Sequence, residues 1–223
     1  MTDSVLQLED VSKRFGSEQA LRDLSMTLRD DEILTLIGPS GCGKTTALRV
    51  IAGLERPDNG RVQLRGRTVN DEGTFVPPEQ RSVGFVFQDL ALFPHLTVEE
   101  NVAFGLTDSQ TNRQERLDET LELVGLQEYR SEYPKHLSGG QKQRVALARS
   151  LVIRPSVLLM DEPFSNLDKE LRNQLRRDVR HILRESGTPT IFVTHHQEEA
   201  IFLGDRTAVM CEGSIEQVGQ PED

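Results

Sequence analysis

The sequence predicts an α/β fold, a parallel-rich core carrying a helical insertion at roughly 89–155. Three observations point there. The apolar runs ILTLI at 33–37, VLLM at 157–160 and TIFVT at 190–194 do not alternate, as expected of strands buried on both faces. Between about 98 and 153 the apolar spacing turns helical. The run Ile33–Ile37 stops at Gly38-Pro39 and a helical pattern begins at Lys44, the strand–loop–helix order of crossover units.

Val5, Leu6 and Leu8 start a first strand, and Leu24, Met26 and Leu28 alternate with polar neighbours as a half-buried strand does. The helix from Lys44 places Leu48, Ile51 and Ala52 on one side and ends at Gly53. Gly60–Val69 and Ser82–Phe87 supply further strands. Thr97 caps a helix over Val98–Gly105, and Leu117, Leu121 and Val124 define a second that Gly125 terminates. Ser138 caps a third, with Val145, Leu147, Ala148 and Leu151. Asp168 caps a long helix bearing Leu171, Leu175, Val179 and Ile182, and Glu212-Gly213-Ser214 turns a hairpin after the strand 207–211.

The chain has 223 residues, 26 basic against 36 acidic, for a formal charge of -10. That balance argues against broad binding to a nucleic-acid backbone. Two cysteines, Cys42 and Cys211, are too few for a disulfide framework and suit a reducing compartment. No apolar run approaches the ~18 residues of a membrane span. The opening MTDSVLQLED lacks a signal-peptide layout. His95, His136 and His181 show no ligand spacing with one another or with the cysteines, so no zinc site is expected.

Three motifs carry chemistry. Gly38-Pro39-Ser40-Gly41-Cys42-Gly43-Lys44-Thr45 fits G-x-x-x-x-G-K-[ST], a loop whose backbone N–H groups turn inward on phosphate oxygens at a helix N-terminus. Lys44 reaches the β/γ phosphates there and the Thr45 hydroxyl suits Mg²⁺. Val157–Met160 then delivers Asp161 and Glu162 to a strand's C-terminal end, where ligands bind in open α/β sheets. Asp161 is assigned to the metal and Glu162 to the base that polarises a water. Leu137-Ser138-Gly139-Gly140-Gln141 makes a second anion-binding helix start, 23 residues before Asp161 (161 − 138).

Together these motifs make the whole chain resemble the nucleotide-binding subunits of ABC transporters. The resemblance implies a P-loop NTPase core of ABC type, with an N-terminal antiparallel β subdomain and an inserted helical signature subdomain. The domain bounds are 1–88 with 156–223 for the core and 89–155 for the insertion. It implies that Phe15 stacks on adenine in the place where the family more often has Tyr, and that Thr46 joins the phosphate loop. Gln88 matches the glutamine that reaches Mg²⁺ and water. Ser138, Gly139, Gly140 and Gln141 match the signature that meets the γ-phosphate of ATP held by a second copy. Asp168 matches a loop that crosses that dimer interface, and His195 the switch histidine at the γ-phosphate. The implied cofactors are ATP and Mg²⁺. The implied partners are a second subunit, integral membrane permease subunits and, indirectly, a periplasmic or extracellular solute-binding protein, at the cytoplasmic face of the membrane.

The chain departs from the family at Asn166, where Ala is common, and at His196, where Asp is common. His196 removes a carboxylate from beside His195, which bears on that histidine's protonation. The stretches Gln88–Val98 and Asp161–Ser165 resemble the importer branch serving iron(III), polyamine, sulfate, molybdate or thiamine, with iron(III) the leading substrate. A non-transport ABC ATPase and an exporter cassette are the alternatives. The short spacing between Lys44 and Ser138, 94 residues (138 − 44), speaks against the repair type. Cys42, among inward N–H dipoles, is expected to be the more reactive thiol, and Cys211 the buried one.

Overall fold

A computed structural model describes residues 4–106, 112–165 and 169–221. The described chain divides into two compact units. The first comprises residues 1–85, 156–162 and 188–223, and the second 86–155 and 163–187.

The first unit opens with the antiparallel strands β1 (Ser4–Phe15) and β2 (Glu18–Arg29), joined later by β4 (Asn59–Leu64) and β5 (Arg67–Asn70). Their sheet order is β2-β1-β4-β5. A second sheet contains β3 (Ile33–Ile37), β6 (Val83–Val86), β7 (Val157–Asp161), β8 (Thr190–Thr194), β9 (Arg206–Cys211) and β10 (Ser214–Gly219), in the order β10-β9-β3-β8-β7-β6. Strands β9, β3, β8 and β7 run parallel, and β10 returns antiparallel on β9. β7 and β8 are buried at every position and β3 at four of five, which is why their sequences are apolar without alternation. Helix α1 (Lys44–Ala52) packs on β7 and β2. Leu34, Leu36, Leu48, Ile51, Leu159 and Ile191 share one core with the inner face of the antiparallel sheet.

The far end of α1 is held by a residue that reads as surface in the sequence. Arg81 is 3% exposed. Its Nη1 donates to the carbonyls of Val50 (2.8 Å) and Ile51 (3.0 Å), and its Nε to that of Val76 (2.7 Å). The last carbonyls of a helix lack intrahelical partners, and a guanidinium with its planar fork supplies them. Burial lowers the Arg81 pKa to about 10.

The second unit holds α2 (Val98–Ala103), α3 (Arg113–Leu123), α4 (Gly139–Leu151) and α5 (Lys169–Ser186). Thr97 and Ser138 both cap as expected, each in a reciprocal box, with Glu100 and Gln141 respectively. Arg130 ties α2 to α3 through Glu99 (3.0 Å) and Asp118 (2.6 Å). Helix α5 connects two core strands in sequence, yet it packs on α3 and α4. Its buried stripe of Leu175, Val179, Ile182 and Leu183 faces helices, so 163–187 belongs with the helical unit and not with the core where the sequence reading put it. The short helix α6 (Gln197–Leu203), against β3 and β8 in the first unit, was not anticipated. The expected cap Asp168, and Asn166, lie outside the described residues.

Candidate functional site

β3 ends at half-buried Ile37 and α1 begins at Lys44, so six residues must turn the chain through the top of the sheet. Gly43, at the N-cap, has φ 103° and offers no side-chain cap, which leaves the first N–H groups of α1 without that partner. A Cβ on Gly43 would lie 2.3 Å from the Ala20 carbonyl oxygen, so glycine is required there. Ser40, Gly41, Gly43, Lys44, Thr45 and Thr46 line a hollow of about 280 Å³ together with Phe15, Ala20 and Glu162. Gly38, Pro39 and Cys42 form the loop around it. Phe15 is 46% exposed, with the Lys13 ammonium 5.0 Å from its ring centroid. An open aromatic face beside a phosphate-binding loop suits a nucleobase.

Lys44 is buried, and its Nζ donates to the carbonyls of Gly38 and Pro39, both at 2.9 Å. The cation is thereby held over the loop by groups that an anion can replace. One residue on, Thr45 Oγ1 donates to Asp161 Oδ1 at 3.1 Å. Asp161 ends β7 and is buried. Burial raises its pKa and the neighbouring Glu162 adds to the rise, while the Thr45 hydrogen bond and the cations Arg49 and Lys44 oppose it. A hydroxyl beside a desolvated carboxylate is the oxygen-only donor set that Mg²⁺ accepts, with substrate phosphates and waters completing it. Among the described residues no group of three or more His, Cys, Asp or Glu is arranged for a metal.

Glu162 follows immediately, at φ 43°, with its N–H on the Val193 carbonyl at 3.0 Å. That left-handed bend turns its side chain off the strand. Oε2 meets His195 Nδ1 at 2.9 Å. His195 lies just past β8, and its ring sits 4.1 Å from that of His196. Thr194 orders this corner: its hydroxyl accepts from the His196 N–H at 3.0 Å and donates to buried Glu199. Five expected positions, Lys44, Thr45, Asp161, Glu162 and His195, thus form one chain of contacts.

The remaining expected residues lie in the helical unit. Gln88 Nε2 donates to Ser165 Oγ at 3.2 Å. Ser138 Oγ accepts from the Gln141 N–H at 3.3 Å, and the Ser138 N–H donates to Gln141 Oε1 at 2.8 Å. Gly139 and Gly140 open α4 behind them. Two residues that carried no sequence signal build the loop after Gln88. Fully buried Asn101 accepts from the Phe93 N–H and donates to the Phe93, Leu96 and Thr97 carbonyls, at 2.9–3.1 Å. Arg149 of α4 donates to the carbonyls of Leu90 (2.8 Å) and Ala91 (2.6 Å), both in left-handed backbone, and lies over the Phe93 ring.

The thiols reverse the expectation. Cys42 is buried, its Sγ 3.7 Å from Lys44 Nζ, whereas Cys211 is half-buried. Cys42 packs into the core beneath the loop.

Such a site on such a fold defines a P-loop nucleotide-binding cassette. The ABC transporter family model matches residues 21–165, and the chain belongs to that family. A spermidine/putrescine import ATP-binding protein of Oleidesulfovibrio alaskensis is 49% identical over 99% of this chain. An Fe(3+) ions import ATP-binding protein of Fusobacterium nucleatum is 47% identical over 98%. The chain spans 59% and 58% of those two relatives. The ATP-binding cassette MJ0796, solved as a dimer in a post-hydrolysis state with ADP and Pi, superposes with a TM-score of 0.80. It is 31% identical, over 97% of this chain and 98% of that one.

Proposed function

We propose that this chain is the ATP-binding and ATP-hydrolysing subunit of a membrane importer, acting as a pair of copies on permease subunits. The observation that carries the reading is the continuous line Lys44–loop, Thr45–Asp161 and Glu162–His195 beside one hollow. The loop N–H groups and Lys44 bind the β and γ phosphates, and Phe15 receives the base. Thr45, Asp161 and Gln88 are the residues that would hold Mg²⁺, which when bound supplies charge neutralisation at the phosphates. Glu162 takes the proton of the attacking water, and His195 orients that carboxylate. Catalysis is positioning and charge stabilisation. Ser138, Gly139, Gly140 and Gln141 serve the γ-phosphate held by the second copy, and Asp168 its interface.

Support for the importer class comes from the import proteins above and from the dimeric cassette with ADP and Pi. Among the described residues no helix is long and apolar enough to cross a membrane, which fits a peripheral subunit at the cytoplasmic face. Iron(III) remains our leading cargo. The polyamine and iron relatives, at 49% and 47%, do not separate the choices, since cargo is selected by the permease and the solute-binding protein. Calorimetric titration of Mg·ATP into wild type and Lys44→Ala tests the nucleotide site. Weakened binding in the variant is expected, and equal affinity would overturn it.

A further inference from the structure

The turn between β9 and β10 lies apart from the nucleotide hollow in sequence, yet it is bonded to the phosphate loop. Cys211 pairs with Ser214, so Glu212 and Gly213 form a two-residue hairpin loop, with φ 44° and 88°. Hairpin geometry alone accounts for a glycine there. It does not account for what Gly213 touches. Its N–H donates to the Cys42 carbonyl at 3.0 Å, and its carbonyl accepts from the Arg22 N–H at 2.9 Å. A Cβ on Gly213 would stand 2.9 Å from the Ala20 oxygen and 3.1 Å from Leu21 Cα. The hairpin tip is therefore wedged between β2 and the phosphate loop.

The chain contains no cis peptide among its described residues, and in a trans peptide the C=O and N–H point in opposite directions. Fixing the Cys42 carbonyl on Gly213 thus fixes the Gly43 N–H facing away from the hairpin. Gly43 lines the hollow, and its own carbonyl is committed to α1 through the Ala47 N–H at 2.9 Å. The 42–43 peptide is held at its carbonyl, and the 43–44 peptide that follows is held at its own. We infer that Gly213 is a positioning residue for phosphate binding, holding the Gly43 N–H in the orientation that donates to a nucleotide's phosphate. The inference rests on the nucleotide-binding reading above.

The β4–β5 hairpin provides a matched control. Arg65 and Gly66 form the same two-residue loop, at φ 45° and 74°, and a Cβ on Gly66 would meet nothing within 4 Å. Mg·ADP is titrated calorimetrically into the full chain as wild type, Gly213→Ala, Gly66→Ala and Lys44→Ala. Gly213→Ala should bind about three- to tenfold more weakly, the scale of one lost hydrogen bond, while Gly66→Ala binds as wild type. In ¹H–¹⁵N spectra, the downfield move of the Gly43 amide on adding Mg·ADP should shrink in Gly213→Ala alone. Equal binding by Gly213→Ala and Gly66→Ala, with Lys44→Ala weakened, overturns the inference but leaves the site intact. Unchanged binding by Lys44→Ala removes the phosphate loop itself. Should Gly213→Ala fail to fold, ligation at the native Cys211 allows glycolic acid to replace Gly213, deleting only the N–H donor. The same weakening is then expected, and affinity equal to the ligated all-amide chain overturns the inference.

Discussion

Glu162 Oε2 and His195 Nδ1 lie 2.9 Å apart, at the ends of neighbouring parallel strands β7 and β8. The strand pairing Asp161↔Val193 sets their spacing. One group is the proposed base, the other its support, so their substitutions should not add. Glu162→Gln is expected to keep Mg·ATP binding and lose hydrolysis by about 10²–10⁴-fold. His195→Ala should lose less, and the double variant no more than Glu162→Gln alone. Steady-state phosphate release checks the cycle. A multiplicative double loss would mean that His195 acts independently.

Asp161 is a buried carboxyl whose pKa is raised, first by desolvation. Its folded pKa exceeds its unfolded one, so the native state binds more protons between the two, and stability falls as pH rises through that window. Asp161→Asn should therefore raise the Tm of the nucleotide-free chain at pH 7.5. The gain should fade as pH falls below that raised pKa, where the wild-type carboxyl is also protonated. The same variant should lose the Mg²⁺-dependent part of ATP binding. Thermal melts with and without Mg·ATP across pH check both; a constant difference at every pH would contradict the burial argument.

Ser138 is committed to its own helix, since its hydroxyl caps α4. Ser138→Ala should cost about 1 kcal/mol of stability from the cap. Ser138→Arg should add a loss of hydrolysis that depends on protein concentration, because the large cation blocks the second copy's phosphate. ATP affinity of the isolated copy should survive in both. Dilution series of ATPase activity beside calorimetry separate the cases, and equal loss of ATP binding in the isolated copy would assign Ser138 to its own site.

Cys211 should be alkylated before Cys42, since the first is half-buried and the second buried. Peptide mapping after limited iodoacetamide treatment reads the order directly. Cys42 labelling first would show that the loop opens in solution more readily than its packing suggests.

Much of this arrangement was legible in the sequence, because the signals were local. Unalternating apolar runs mark β3, β7 and β8, and the caps Thr97 and Ser138 stand immediately before their helices. Glycine spacing and the Asp161-Glu162 pair locate the chemistry. What could not be read depends on partners distant in the chain. Arg81 looks solvent-facing until the carbonyls of Val50 and Ile51 are brought to it. Asn101 and Arg149 likewise satisfy backbone groups that sequence cannot reveal as needy. The burial of Cys42 is not legible locally either, because it depends on which side of the loop the sulfur packs.

Residues 156–162 are a short piece of the first unit with a departure to the second unit at each end, at 155/156 and at 162/163. The strand β7 within it carries Asp161, and Glu162 follows it. Tension along the axis of β7 enters through its two termini. The register Leu158↔Thr190 to Asp161↔Val193 resists such a pull in shear, all rungs bearing the load at once instead of unzipping one by one. The carboxylates thus ride on a laddered strand, and that same register sets the Glu162–His195 spacing.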